Sequence, residues 1–429
     1  METRMATDAS NGLLIGAPPS RTATTRRKAI VATVIGSGIE WFDFSGYAFF
    51  AAIIGKLFFP AGNDTTSLLL ALATFGAGFV MRPLGGILFG IYGDRMGRKR
   101  ALSLAMLIMA SGSAIIAFAP TYDAIGVAAP CLIVIARMMQ GLSAGGEMGG
   151  ATAFLTEHAP SNRRAWYSSW IQTSVGFAVV IGSVTGALIM STMSAQSVMT
   201  WGWRIPFVIG MLIAPVAWYI RLKIEETPEF VSESHRSNTP LREAIGQYPR
   251  EVLSSLLMVV LWTVCTYVIL FYIPTYVVRY LGMTPREGFA SGIVSGVVLM
   301  VMAPVFGFLS DVVGRRRVLS AAAWLILISS YLLFSHLTRS SDFATLLMFQ
   351  AVFGVLIAAY TGPILALFTG MFPSRVRATG LSLAYNGAVT IFGGALRSSS
   401  PGLPSSQAIR SLLPGTSSLQ RRLACWAHG

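Results

Sequence analysis

Glu40 and Asp43 lie in the stretch GIEWFDFSGY, inside an apolar run from Ala29 to Gly55. On a helix, Glu40, Asp43 and Tyr47 share one face, and Gly36 continues it and permits close approach of a neighbouring helix. A charged side chain at mid-bilayer costs about 2.5–3.5 kcal/mol even on the lenient insertion scale, so both acids must face a cavity or a partner. A buried site favours the neutral carboxyl, which suits a group that loads and releases a proton in each cycle. The alternative for both is a structural hydrogen bond or salt bridge to another helix.

A second constellation is RMMQGLSAGGEMGG, with Arg137, Gln140 and Glu147 within one half of a helix surface. Glu147 joins Asp43 and Glu40 as a proton-coupling candidate. Arg137 can offer forked donors to a substrate carboxylate, or serve as the permanent partner of Asp43 or Glu147. The interleaved Gly141, Gly145, Gly146, Gly149 and Gly150 read as close helix packing. Arg82, before Pro83, is a candidate cavity residue or an inter-helix partner. Gln140, Tyr47, Gln172, Tyr267, Tyr272 and Asn386 complete the substrate-contact candidates, with packing or interfacial anchoring as the plain alternative for the tyrosines. Four scattered histidines, three cysteines without paired spacing and no G-x-x-x-x-G-K-[ST] stretch point away from metal, disulfide and ATP chemistry. The expectation is no enzyme and no cofactor, with a proton gradient as the energy source.

These residues need helices that cross a membrane. Of 429 residues 54% are hydrophobic and only 12% charged, and the mean hydropathy is +0.63. Eleven apolar runs, the last one short, predict an all-α polytopic membrane protein; a porin-like barrel would alternate in short segments instead. The net charge of +14 sits in short connections, which argues against nucleic acid as a partner. Alternate loops carry eleven Lys or Arg against four, or five with Arg204 at a span rim, which predicts a cytoplasmic N-terminus, with the first span retained. A plasma (bacterial inner) membrane is the expected location.

The chain repeats itself. GIYGDRMGRKR returns as GFLSDVVGRRR, placing Asp94 and Asp311 217 residues apart, and EHAPSNRRA returns as GMFPSRVRA, placing Pro160 and Pro373 213 apart. The predicted organisation is a tail (1–28), a six-helix half (29–222), a central loop (223–249), a five-helix half (250–396) and a Ser/Arg-rich tail (397–429). Parallel halves with a site at their interface are the architecture of a secondary transporter. Asp94, Arg95, Gly97, Arg98 and Lys99 form one loop cluster, with Glu157, Arg163 and Arg164 as expected partners. Asp311, Gly314, Arg315 and Arg377 belong to the repeat of that arrangement.

GDRMGRKR and SDVVGRRR resemble the signature loops of the major facilitator superfamily. Within it GSGIEWFDFSGY, FVMRPLGGILFGIYGDRMGRK, RMMQGLSAGGEMGGATAFLTEHAP, WGWRIPF and EETPEF resemble the metabolite:proton symporters, in register from about residue 28 to 394. The resemblance implies a two-half bundle of twelve helices and proton-coupled symport by alternating access, with the loop clusters locking the cytoplasmic side. The implied cargo is a small metabolite, most simply an organic acid, with a proline/betaine-type osmolyte as the alternative. The lack of C-terminal heptads mildly favours the acid. Two departures stand out. Gly370 replaces the acid that Glu157 supplies in the first half. After Gly394 the expected twelfth span is replaced by polar, arginine-bearing sequence, which reads as a natural tail or as a shifted frame or truncation; an inactive remnant is the corresponding alternative function. A monomer in the lipid bilayer, handling protons and one small substrate, is the expected unit.

Overall fold

The structure, a computed structural model, describes residues 23–227, 230 and 238–393. The two terminal tails and the stretch around Glu229 therefore lie largely outside the described residues, and so does any replacement of a twelfth span. The described chain is helical and without strands. The helices are α1 (Ala23–Phe58), α2 (Asp64–Met96), α3 (Arg98–Phe118), α4 (Ala128–His158), α5 (Arg164–Thr192) and α6 (Gly202–Lys223, one rod interrupted at residues 211–212). After a short helix Pro240–Gln247 come α7 (Pro249–Val278), α8 (Pro285–Val313), α9 (Arg315–Arg339), α10 (Phe343–Thr369) and α11 (Arg377–Ala388, continued by a π turn to Gly393).

Nine of these, α2 to α10, are long and apolar enough to cross a membrane. α1 falls outside that set while carrying Glu40 and Asp43, and the described part of α11 is short. At about 1.5 Å per residue, the 36 residues of α1 are nonetheless long enough to cross a hydrocarbon core of roughly 30 Å.

Sharp reversals between α2 and α3 and between α8 and α9 are made by Gly97 (φ 108°) and Gly314 (φ 114°), a region of backbone space that disfavours any side chain. That explains the glycine in both signature loops.

Small residues set the contact between the halves, where α2 meets α11 and α5 meets α8. A methyl on Gly176 would overlap the backbone of Gly296 and Met300, and one on Gly90 would overlap Thr379. Two prolines add polarity to the same seams. Pro83 has no N–H for the carbonyl of Phe79, and Thr390 of α11 donates its hydroxyl to that carbonyl at 2.9 Å. Pro304 likewise frees Met300, whose carbonyl accepts from Thr173 of α5 at 3.1 Å.

Of the five glycines in α4, Gly141 abuts the backbone of Gly78, Gly145 that of Arg82, Gly146 the ring of Phe89, and Gly149 Ser382 of the opposite half. Gly150 has open space beside it, so packing does not explain that residue.

Candidate substrate and proton site

The helical spacing of α1 sends its two acids to different neighbourhoods. Asp43 turns into the first half, where the Gln140 amide donates to its Oδ2. The same amide donates to Ser113 Oγ at 3.1 Å, and Arg137 donates to Gln140 Oε1 at 2.6 Å. The guanidinium of Arg137 is stacked among Tyr47, Phe75 and Phe44, its carbon 4.4, 4.5 and 4.9 Å from the ring centroids. Tyr47 donates to the carbonyl of Ala71 at 3.1 Å. Asp43 Oδ1 is buried without a hydrogen bond, beside Gly210 of α6, where a side chain would collide with it.

Glu40 instead lines a cavity between the halves with Ser37 and Trp41 of α1, Arg82 of α2, Glu147 of α4 and Tyr385 of α11. The cavity holds only about 10 Å³, room for one water. This is a closed conformation: a bound metabolite needs several hundred Å³. Arg82 donates to Tyr267 across the halves at 3.4 Å and lies 4.9 Å from the ring centroids of both Phe44 and Phe79. Trp41 and Phe79 meet Phe271 and Tyr267 of α7 at 6.2 and 5.6 Å between centroids, an aromatic contact between the halves next to the cavity residue Trp41. Both carboxyl oxygens of Glu147 are buried without a hydrogen-bond partner, as is Oε2 of Glu40.

Several sequence expectations change here. Arg137, Gln140 and Tyr47 do not line the cavity; they sit behind aromatic rings as partners of Asp43, the structural alternative the spacing had left open. Glu147 is grouped with Glu40 and not with Asp43. Tyr272 is 47% exposed, its ring tilted against Tyr276, and lies outside the cavity lining. Asn386 donates to the carbonyls of Gly145 and Ser382 at 2.6 and 2.7 Å, an inter-half seam contact outside the cavity lining. Gln172 is buried outside that lining, next to Ile171, which belongs to it. Ser37, Trp41 and Tyr385 were missed. Ser37 lies one helical turn before Glu40, a signal the spacing could have given; Tyr385 adjoins Asn386 and had none beyond that.

At the basic-loop end, each half caps a helix of the other. Asp94 accepts the N–H groups of Ala378 and Thr379 at 3.2 and 2.9 Å and the Thr379 hydroxyl at 2.6 Å, at the first turn of α11. Asp311 accepts the N–H groups of Ala165 and Trp166 at 3.2 and 2.9 Å, at the first turn of α5. The expected pairing of Asp94 with Arg163 and Arg164 is thus replaced by an exchange between halves: the turn holding those arginines faces Asp311.

Asp94 pairs with Arg98 at 2.7 Å, and Glu157 bridges Arg98 and Arg377 at 3.5 and 3.0 Å. In the repeat, Arg315 pairs with Asp311 at 3.0 Å, but with Gly370 in the acid's place it turns to the carbonyl of Ala366 at 3.3 Å. Arg98 is 1% exposed and Arg315 26%. Arg95 donates to the Asn238 carbonyl, and the Lys99 N–H to Glu226 at 3.2 Å, so the central segment is tied to α3. The short helix joins in through Glu243, whose carboxylate holds the Arg375 guanidinium above its ordinary pKa.

Residues 33–305 match the family Major Facilitator Superfamily, and residues 232–392 match the family Sugar (and other) transporter. The chain belongs to the Major Facilitator Superfamily. It is 36% identical over 367 residues to the citrate-proton symporter of Salmonella typhi, covering 85% of each chain. It is 34% identical over 382 residues to the proline/betaine transporter of Escherichia coli (strain K12), covering 86% of this chain and 76% of the relative. In fold it is similar to the proton:xylose symporter XylE bound to 6-bromo-6-deoxy-D-glucose, with a TM-score of 0.75, 16% identity and 91% of each chain covered. This superfamily protein is therefore a multi-pass membrane transporter of the proton-coupled symporter type.

Proposed function

We propose that this transporter carries a small organic acid together with protons, and that Arg82 meets the substrate carboxylate. The observation that carries the reading is the cavity wall itself: its lining holds one cation, Arg82, facing the acids Glu40 and Glu147 and contacting the second half through Tyr267. An anion is repelled while those acids are charged and accepted once they are neutral, so substrate and proton enter together.

Asp43 supplies the coupling acid in this reading. Its unpartnered Oδ1 has room for a proton, and its Oδ2 is linked through Gln140 to Arg137 on α4. Glu147 lies ten residues further along the same helix, about 15 Å by helical rise. Changing the charge on Asp43 thus acts on the helix that carries Glu147 into the cavity.

The basic-loop end is cytoplasmic in this proposal, because the loops there hold the greater share of Lys and Arg. The working parts are the two halves, 29–222 and 250–396, joined by 223–249, within a single chain. No cofactor enters the cycle; the proton gradient drives it.

One observation favours a second reading. Two acids and the face of Trp41 beside one guanidinium also suit a zwitterion, with its carboxylate on Arg82 and its ammonium on the ring. Uptake into vesicles containing the purified chain, with and without an inside-alkaline gradient, separates the two. Gradient-driven uptake of citrate-like acids, lost in Arg82→Gln, is the expected result. Gradient-driven uptake of proline or betaine alone overturns the acid reading, and no flux of either overturns transport by this chain.

A further inference from the structure

Four cations from three helix ends meet at a pocket apart from the cavity between the halves. Arg95 ends α2, Lys99 and Arg100 begin α3, and Arg221 lies in the last turn of α6; with Met96, Glu226 and Phe230 they line an open cavity of about 500 Å³. Glu226, the one acid among the described lining residues, already accepts the N–H of Lys99 and of Thr227, at 3.2 and 3.0 Å. Arg95 is held by the Asn238 carbonyl. The charged groups of Lys99, Arg100 and Arg221 make no ion pair with any described residue. Among the described lining residues, positive charge therefore exceeds negative, four cations to one acid, in a volume suited to a phosphate-bearing group.

What lies beside it indicates the rest of the ligand. Trp218 and Leu222 of α6, one helical turn apart, are 61% and 58% exposed, and Met96 in the lining is also exposed. In a membrane-spanning rod such residues face acyl chains. A ligand with an anionic head and an apolar body satisfies both surfaces at once.

We propose that this pocket binds the phosphodiester headgroup of an anionic phospholipid, with its acyl chains lying along α6. The site is separate from the substrate cavity and does not depend on the identity of the cargo. It places a lipid at the helix ends that Glu226 clamps, next to Arg98 of the inter-half network.

The test titrates the full chain in detergent with phosphatidylglycerol, phosphatidylcholine and inorganic phosphate, reading bound ligand by native mass spectrometry. Each cation near an anionic headgroup contributes about 1 kcal/mol, or about fivefold in Kd. Arg100→Gln/Arg221→Gln is expected to weaken phosphatidylglycerol about 25-fold. Arg316→Gln/Arg317→Gln, an exposed pair at the repeat positions of Lys99 and Arg100 that removes the same amount of charge, is expected to leave it unchanged. Equal weakening by both pairs means diffuse charge attraction and overturns the proposal. So does phosphatidylcholine binding as tightly as phosphatidylglycerol. Inorganic phosphate binding as tightly as the lipid makes this a free-anion site and overturns the lipid assignment.

Discussion

Thr173 and Thr390, 217 residues apart, make the same bond in opposite directions across the two halves. Each hydroxyl donates to a carbonyl, Met300 or Phe79, that a proline four residues later has left without its helical partner. The repeat thus extends from the signature loops into the middle of the seams. Replacing Thr390 by Val removes the donor and leaves a buried carbonyl unpaired in the closed state, at a cost of about 1–3 kcal/mol. The open population should rise about 5- to 150-fold. The labelling rate of a cysteine introduced at Ser382, buried in the same seam, measures the change. A rate unchanged by Thr390→Val would show that this bond does not hold the seam shut.

The two caps at the basic-loop end should differ in strength. Asp94 is tied to Arg98 at 1% exposure, and Glu157 joins that arginine to Arg377. Among the described residues Asp311 has only Arg315 as an ion-pair partner, at 26% exposure, where solvent screens the pair. Asp94→Asn should therefore raise accessibility of the same cysteine, and lower uptake, more than Asp311→Asn does. Gly370→Glu supplies the missing acid beside Arg315, in space that accepts a side chain. It should slow opening by about two- to fivefold, an exposed pair contributing up to about 1 kcal/mol. Equal effects of the two Asp→Asn changes would refute the asymmetry.

Apolar runs and the internal repeat made the helical, membrane-crossing character, the glycines of the two signature loops and the missing acid at Gly370 legible in the sequence, because each is written in the local residue pattern. Of the eleven expected spans, nine are long and apolar enough among the described residues. Which half a charge would bind was not legible. Asp94 could satisfy a nearby arginine or a helix end from across the interface, and only the three-dimensional seam decides between them. The same holds for Arg137: its spacing put it on the face of Gln140, but rings from α1 and α2 determine that it is walled off from the cavity. Tyr385 was invisible because a lone aromatic in an apolar run has no distinguishing pattern.

Two glycines of α4 provide a paired test of packing. Gly141→Ala would drive a methyl into the backbone of Gly78, where neither chain can yield without separating α2 from α4. A loss of about 1–3 kcal/mol or more is expected, read as a lower melting temperature in detergent. Gly150→Ala fills open space and gains helix propensity, so it should stabilise by about 0.5–1 kcal/mol. A stabilising Gly141→Ala would mean that the two helices are not held at this distance.

The last prediction separates proton coupling from substrate binding. Arg82 lines the cavity, and Arg137 serves Asp43 through Gln140. Arg82→Gln should therefore weaken substrate binding at least tenfold, the scale of one lost charge-assisted hydrogen bond. Arg137→Gln should leave binding within about twofold and impair gradient-driven uptake. Asp43→Asn fixes the neutral form. In the parent protein, raising the external pH at constant internal pH removes protons from the loading side, so uptake should fall. In Asp43→Asn, exchange of labelled for unlabelled substrate should persist, with its pH dependence flattened and net accumulation abolished. Accumulation that survives Asp43→Asn at parental levels would transfer the coupling role to Glu40 and Glu147, the pair that lines the cavity.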